Sequence, residues 1–427
     1  MTFARDVAEI DLSDLGFWSL PPERRLAAFA RLREREHPAF FTELQMPFVR
    51  NGRGYYALTR YADVVEASRR PEVFSSEPVS TSIADLPRYM ARYFGSMINM
   101  DDPRHAEIRR IVSRAFTPRV LAKLETDIQA GATRIVDALL RDGPGDFVTD
   151  VAAKLPVQVI CDMMGIPERV RPMVYQRTNT ILGVGDPEYT GGKDFNRDGI
   201  TRTGVLYGLL ATMAAGYELN HLAMKLARRR RARPGDDLVS ALVSANVDGK
   251  SLTDQEIGSF FILLVVAGNE TTRNAIAHGL TLFTDNPEQQ ALLMEDFDAR
   301  IPGAVEEIVR LASPVIQFRR TVARHHVMNG HHYRKGDKVL LFYNSANRDP
   351  EVFENPDAFD ITRSPNPHVG FGGPGPHFCL GANLARREIT VLFRELFTRV
   401  PAIRAAGRPD PLYSNFINGI KHLPCTF

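Results

Sequence analysis

The sequence predicts a mainly α fold with a minor β region, and three observations predict it. Amphipathic stretches with helical spacing recur along most of the chain. Strand-like runs are short and few, at residues 55–59 and 317–343. Two helices open on strong start signals: a capping box at Thr253 and a glycine- and proline-rich loop ending at Cys379.

Length leaves the domain count open, because 427 residues suffice for about two to three average domains or one large one. No internal repeat or low-complexity linker marks a boundary, so the expectation is a single domain over 1–427. Hydrophobic content of 44% and charged content of 24% allow a large core. A net charge of +2 gives no reason to expect nucleic acid as a partner. Three cysteines are too few for a disulfide framework and fit a reducing compartment, with Cys161 and Cys425 read as structural. Residues 1–14 lack the basic and apolar regions of an export signal. The longest apolar run, Phe260 to Ala267, is far short of the roughly 20 residues of a membrane span. A cytoplasmic protein without a membrane span is expected.

Taken in order, Pro21 and Pro22 lead an amphipathic helix over 23–36. Residues 55–59 read as a strand, and 61–69 as a short helix stopped by Pro71. A long irregular segment from Ser75 to about Met100 carries Leu86, Met97, Ile98 and other apolar residues, as the wall of an apolar pocket would. Asp101-Asp102-Pro103 starts the next helix, where His105 and Arg109 share a face at i and i+4. Two donors there suit an anion; with Arg110 and Arg114 nearby they also fit a solvated basic face. Helical patterns follow at 121–140, 152–164 and 169–182, then a loop over 183–198 and a long helix from about 199 to 230. Arg228 to Arg231, just before Pro234-Gly235, complement the dipole of a helix C-terminus better than they make a nucleic-acid patch.

The capping box Thr253-Asp254-Gln255-Glu256 opens a helix that is apolar all round, hence central. Ala267-Gly268-Asn269-Glu270-Thr271-Thr272 then interrupts it with polar side chains. A buried carboxylate is costly without a partner or a purpose. Glu270 is therefore either a structural acid, paired for instance with Arg273, or part of a groove beside a bound ligand together with Thr271. Further on, Glu307 and Arg310 fall on one helix face. Strands are expected at 317–322, 333–339 and 340–343, and the tail 412–424 contains a turn at Phe416-Ile417-Asn418-Gly419 that brings Phe416 and Ile417 toward a substrate pocket.

The chain is organised around Cys379. Three glycines and two prolines precede it between Phe371 and His377, and helical spacing resumes after it. A thiol there sits in the field of a helix N-terminus, which favours the thiolate, the metal-binding form. Gly381 leaves room for a flat ligand to lie close over the turn.

The pattern Phe-Gly-Gly-x-Gly-x-His-x-Cys-x-Gly, from Phe371 to Gly381, resembles the heme-binding signature of the cytochrome P450 family. Phe371 stands one position further upstream than the general pattern, which leaves open which N–H groups reach the sulfur. The resemblance implies a cytochrome P450 fold and heme b (iron protoporphyrin IX) with Cys379 as the iron ligand. It implies propionate contacts at His105, Arg109, Arg320 and His377. The hexapeptide 267–272 resembles the family's Ala/Gly-Gly-x-Asp/Glu-Thr-Thr/Ser motif residue for residue, implying the oxygen-activating roles of Thr271 and Glu270. Glu307 and Arg310 match a buried pair that holds the cysteine loop, with Arg363 as the expected third member. The helices at 169–182 and 199–230 match the substrate lid.

A closer resemblance, carried by 94–98, 160–167, 260–276 and 377–389, is to actinobacterial, largely mycobacterial, hydroxylases of methyl-branched lipids, isoprenoids and sterol side chains. It implies hydroxylation of a terminal (omega) methyl with O2, in a narrow apolar channel whose candidates are Met97, Ile98, Leu263, Val266, Ala267, Val315, Phe416 and Ile417. No flavin or nicotinamide fingerprint is present. Electrons are expected from a ferredoxin and its reductase, docking near Arg110, Arg114, Arg386 and Arg387. The rival readings are a peroxide-driven peroxygenase, a heme-dependent lipid-binding or sensing protein, and, more remotely, a cysteine-nucleophile hydrolase.

Overall fold

The computed structural model describes residues 10–44, 52–85, 88–115, 118–190, 195–196, 199–200, 202–247 and 250–427. Residues 1–9, Leu86 and most of the 191–198 loop, on which expectations fell, lie outside these. The longer helices are α1 (Pro22–Arg33), α2 (Tyr61–Arg69), α3 (Arg104–Ala115), α4 (Pro118–Asp142), α5 (Lys154–Met163), α6 (Arg171–Leu182), α7 (Arg202–Ala232), α8 (Leu238–Ser244), α9 (Asp254–Asp285), α10 (Pro287–Glu295), α11 (Phe297–Ala312) and α12 (Ala382–Arg399). The main strands are β1 (Ala39–Phe41), β2 (Tyr55–Leu58), β3 (Phe74–Ser75), β4 (Gln317–Val322), β5 (His326–Met328), β6 (His331–Tyr333), β7 (Lys338–Phe342), β8 (Asp410–Pro411) and β9 (Ile420–His422). One sheet runs β1-β2-β7-β4-β3, with β2 and β7 parallel and the other pairs antiparallel.

Helix α9 is the axle of the helical part and packs against α5, α6, α7, α11 and α12. Its start is the reciprocal capping box: Glu256 N–H donates to Thr253 Oγ1 at 3.2 Å, and Thr253 N–H donates to Glu256 Oε2 at 2.9 Å. Phe260, Phe261, Ile262 and Val265 are buried on it, as a helix apolar on every side must be.

Three expectations on elements are corrected. Residues 333–339 and 340–343 are not two strands. Gly336, at φ +92°, and the Asp337 carboxylate, which accepts from Arg334 N–H at 2.8 Å, turn the chain between β6 and β7, and Tyr343 already starts a short helix. The long helix begins at Arg202, because Gly199–Ile200 pairs with Phe195–Asn196 as a small hairpin. The segment 75–100 is built rather than irregular. It holds a short helix, Ala91–Phe94, and a 3₁₀ turn, Met97–Asn99, and Asn99 fastens both by donating to Phe94 O at 2.9 Å and accepting from Ser80 N–H at 2.8 Å.

Glu307 and Arg310 are wholly buried on α11. Two parallel bonds join them, Arg310 Nε to Glu307 Oε2 at 2.8 Å and Nη2 to Oε1 at 2.7 Å. Arg363 Nε adds a third cationic contact to Glu307 at 3.1 Å, and Asn366 donates to it at 2.9 Å. Arg310 also donates to the carbonyls of Asn347, Pro356 and Ala358. The Asn347 side chain in turn accepts from Val369 N–H at 2.7 Å, which ties the pair to the loop ahead of Cys379. Removing one member of a buried, fully bonded pair leaves the other charge uncompensated, at a cost of about 3–5 kcal/mol. Glu307→Gln is therefore expected to lower the denaturant midpoint by that equivalent with an unchanged m-value.

The C-terminal hairpin, β8 and β9, is pinned to α9. His278 Nε2 donates to Asn418 O at 3.0 Å, and Ile420 N–H donates to Asn274 Oδ1 at 3.1 Å. Burial lowers the His278 imidazole from 6.5 to about 4. Between these values the unfolded chain takes a proton that the folded chain refuses, so stability is full above about pH 6.5 and falls as pH drops toward about 4. His278→Gln keeps a donor for Asn418 and cannot titrate. Thermal melts across that window are expected to show a flatter stability curve for the variant than for the natural chain.

Candidate active site

A cavity opens between α9, the Cys379 loop with the start of α12, the Met97–Ile98 turn and the residues leading into β4. Its walls are mainly apolar: Met97, Ile98, Leu263, Leu264, Ala267, Val315 and Phe318 all face it.

Cys379 closes one end. Its N–H donates to Phe371 O at 2.9 Å, and Gly381, the N-cap of α12, gives its N–H to the thiol. Gly375 takes φ +156°, where a side chain would be driven into Ser68 O on α2, so the loop can rest directly on that helix. The Phe371 ring lies under the Arg386 guanidinium, 4.4 Å from its centroid. Burial pushes the Cys379 thiol up, against the smaller pull of the Gly381 N–H, Arg109 and Arg386. The exposed cysteine lines the cavity. A metal ion at the sulfur would reverse the balance, since a coordinating thiol is deprotonated outright.

Beside the cysteine the cavity is basic. His105 and His377 lie with ring centroids 4.2 Å apart, and Arg109 lines the cavity with them while donating to Phe378 O at 2.7 Å. His105 is 1% exposed, and its Nε2 has no hydrogen-bond partner among the described residues. Burial, then Arg320, His105 and Arg109, lower His377 to about 3. Arg320 is buried behind this group on β4 and donates to Arg319 O at 2.8 Å.

On α9, Thr271 lines the cavity and donates to Ala267 O, one turn back, at 2.8 Å. Glu270 does not line it. Glu270 and Arg273 are both 1% exposed and paired with each other, and Arg273 also donates to Asn179 Oδ1 at 3.0 Å on α6. Asn269 donates to Thr178 Oγ1 at 3.1 Å on the same helix. Of the two arrangements the sequence leaves open for Glu270, the structure has the Arg273 pair. Burial pushes its carboxyl up and Arg273 opposes that.

Among the substrate-pocket candidates, Met97, Ile98, Leu263, Ala267 and Val315 face the cavity. Val266 does not, being turned to another face of α9. Phe416 and Ile417 stand behind the wall: Phe416 packs edge-on to Phe318 at 5.5 Å, and Ile417 is buried and bridged to the Val315 backbone. Phe371 and Gly381 both border the cavity, and a Cβ added at Gly381 would meet nothing within 4 Å. Phe318, Thr272 and Glu388 border it unexpectedly. For Glu388 a signal existed, a single acid among Ile389, Val391 and Leu392 on the apolar face of α12. On the outer face, Arg386 and Arg387 are already paired with Glu306 and Glu125, and the Arg114 side chain lies outside the described residues.

A thiol at the start of a helix faces an apolar cavity with a basic flank, and sequence comparison says which family this arrangement belongs to. The profile "Cytochrome P450" matches residues 218–400. The chain is 47% identical over 424 residues to a "Methyl-branched lipid omega-hydroxylase" of Mycobacterium tuberculosis, covering 99% of this chain and 95% of that protein. It is 40% identical over 375 residues to a "Steroid C26-monooxygenase" of Mycolicibacterium smegmatis, covering 87% and 83% respectively. A structure of a Mycobacterium marinum cytochrome P450 in complex with pseudoionone superposes with a TM-score of 0.91, at 42% identity and 100% of both chains. The chain belongs to the cytochrome P450 family and is a monooxygenase.

The family implies heme, and the residues present fit it. The sulfur faces the cavity, space lies over Gly381, and an unpartnered His105 Nε2 with Arg109, Arg320 and His377 nearby suits carboxylates.

The Glu270–Arg273 pair generates its own expectation. Arg273→Met leaves the Glu270 carboxyl buried with no cation, costing about 3–5 kcal/mol, whereas Glu270→Gln with Arg273→Met removes both charges and recovers part of that. Chemical denaturation of the two single variants and the double variant measures the difference.

Proposed function

We propose that the chain, acting as one catalytic domain, hydroxylates the terminal methyl of an apolar methyl-branched lipid, isoprenoid or sterol side chain, with O2 and electrons from a ferredoxin and its reductase in the cytoplasm. The observation that carries the substrate class is the wall between Met97 and Phe318, which offers a long substrate aliphatic and aromatic contact and few polar partners on the way to Cys379. The names of the relatives above support the same class.

Heme b, held through Cys379, supplies the activation of dioxygen. His105, Arg109, Arg320 and His377 would bind and orient its carboxylates, and Gly381 would let it lie close to the turn. Leu263, Ala267 and Val315 exclude water from the reacting end and direct the chain terminus of the substrate toward it. Thr271 holds a hydroxyl at the cavity wall, and by exchanging its bond to Ala267 O for one to the oxygen substrate it can place a proton there. Glu270 serves that proton supply only when its bond to Arg273 loosens. The electron donor would dock on the face carrying Arg110, Arg386, Arg387 and the exposed Phe378.

Optical titration of the ferric protein with matched linear and methyl-branched lipids, an isoprenoid and a sterol tests this reading. The expected result is a low-spin to high-spin shift that is tighter for branched ligands, with terminal hydroxyl product once a ferredoxin and reductase are added. Equal affinity for linear chains, or no shift with any of the panel, would overturn the substrate class. Binding without product would favour a lipid-binding protein, and product with peroxide alone a peroxygenase.

A further inference from the structure

One side of helix α7 is turned away from the core and, among the described residues, carries exposed large apolar side chains. Val205, Ala215, Leu219, Leu222 and Leu226 bury its inner face. On the opposite face Leu206, Tyr207, Leu210 and Tyr217 stand 45%, 49%, 61% and 59% exposed. At 100° per residue these four, and then Lys225 and Arg228, fall within a sector of about 100°, so the exposed face runs on along the helix. Its first half is apolar and its second half basic, with Lys225 and Arg228 on it and the exposed Arg229 at its edge. The only acid on α7, Glu218, is bound to Arg177 of α6 at 2.8 Å.

We propose that this face of α7 rests on an anionic lipid surface, with Leu206, Tyr207, Leu210 and Tyr217 in the headgroup boundary and the basic half against the lipid charges. A helix that lies in an interface needs this combination of an apolar strip and cations, with amphipathic tyrosines at headgroup depth. A second copy of the chain is the weaker occupant. Four large side chains cover far less than the roughly 800 Å² per partner of a stable protein interface, and in a two-fold pairing of this face the basic half would meet the partner's own basic or apolar half. The position adds a reason. Tyr93 and Phe94 press on α7 at Gly216, where an added Cβ would come within 3.3 Å of both, and the same segment continues into Met97 and Ile98 of the cavity wall. Tyr89, 58% exposed, precedes it. A chain docked through α7 would hold its cavity wall next to the phase in which an apolar substrate dissolves. No helix among the described residues is long and apolar enough to cross a membrane, so the contact is peripheral. The inference goes beyond the reaction, and its test reads binding, not turnover.

The test is co-sedimentation of the full-length holoenzyme with vesicles of phosphatidylcholine alone or of phosphatidylcholine with an equal part of phosphatidylglycerol, at low and high salt. Binding is expected on the anionic vesicles and is expected to weaken with salt. Arg228→Gln with Arg229→Gln should lower the partition coefficient roughly thirtyfold at low salt, and Leu210→Glu roughly tenfold or more. Each variant must keep the heme spectrum of the natural chain, which shows that it folds. Tyr207→Trp should shift its emission to the blue on anionic vesicles, while Trp18, 2% exposed, stays silent. Absence of sedimentation with either vesicle would overturn the proposal, as would binding that Leu210→Glu leaves unchanged. Self-association that Leu210→Glu abolishes, without vesicle binding, would assign the face to a second copy instead.

Discussion

The site depends on the buried contact between Glu307 and Arg310. Two charges with no exposure are tolerable only if every donor and acceptor is used, and here they are: Glu307 accepts from Arg310, Arg363, Asn366 and a backbone N–H, while Arg310 donates to three carbonyls as well. Those carbonyls belong to residues 347–358, a stretch with no long helix or strand of its own. The ion pair thus does for that stretch what a helix ladder does elsewhere, and Asn347 passes the constraint to Val369. From there Gly372 N–H bonds Val369 O and Cys379 N–H bonds Phe371 O. The position of one sulfur atom is set by a chain of hydrogen bonds that starts on α11.

Helix α9 meets the opposite demand. It must be apolar to sit at the centre, yet it carries Asn269, Glu270, Thr271 and Arg273 midway. The structure separates these by face. Thr271 is left on the cavity side, while Asn269, Glu270 and Arg273 turn toward α6 and bond Thr178 and Asn179. Desolvation of Glu270 and Arg273 is offset by their mutual contact and by the neutral partners around them. The same bonds join α9 to α6.

Around Cys379 two effects compete. The Gly381 N–H and the guanidinium groups of Arg109 and Arg386 favour the thiolate, and burial opposes it and wins. Electrostatics at a helix terminus is a matter of roughly 1 kcal/mol, whereas desolvation of a buried anion costs several. A metal bound at the sulfur would add the charge that favours the thiolate.

The sequence by itself determined the helical class, the extent of most helices and strand β4, and the pairing of Glu307 with Arg310. These are local matters: a capping box, a helical period, an i and i+3 spacing and a short glycine-rich loop each act within a few residues. It also determined the family, because the Cys379 loop and the hexapeptide before Arg273 are contiguous motifs. Only the tertiary structure decided which face of α9 meets the cavity, so that Leu263 and Ala267 line it and Val266 does not. Only the tertiary structure placed Phe416 and Ile417 behind the wall, and gave Glu270 to Arg273. These depend on how far one element rotates against another, a balance of desolvation and packing among residues distant in the chain, and no short-range pattern encodes it.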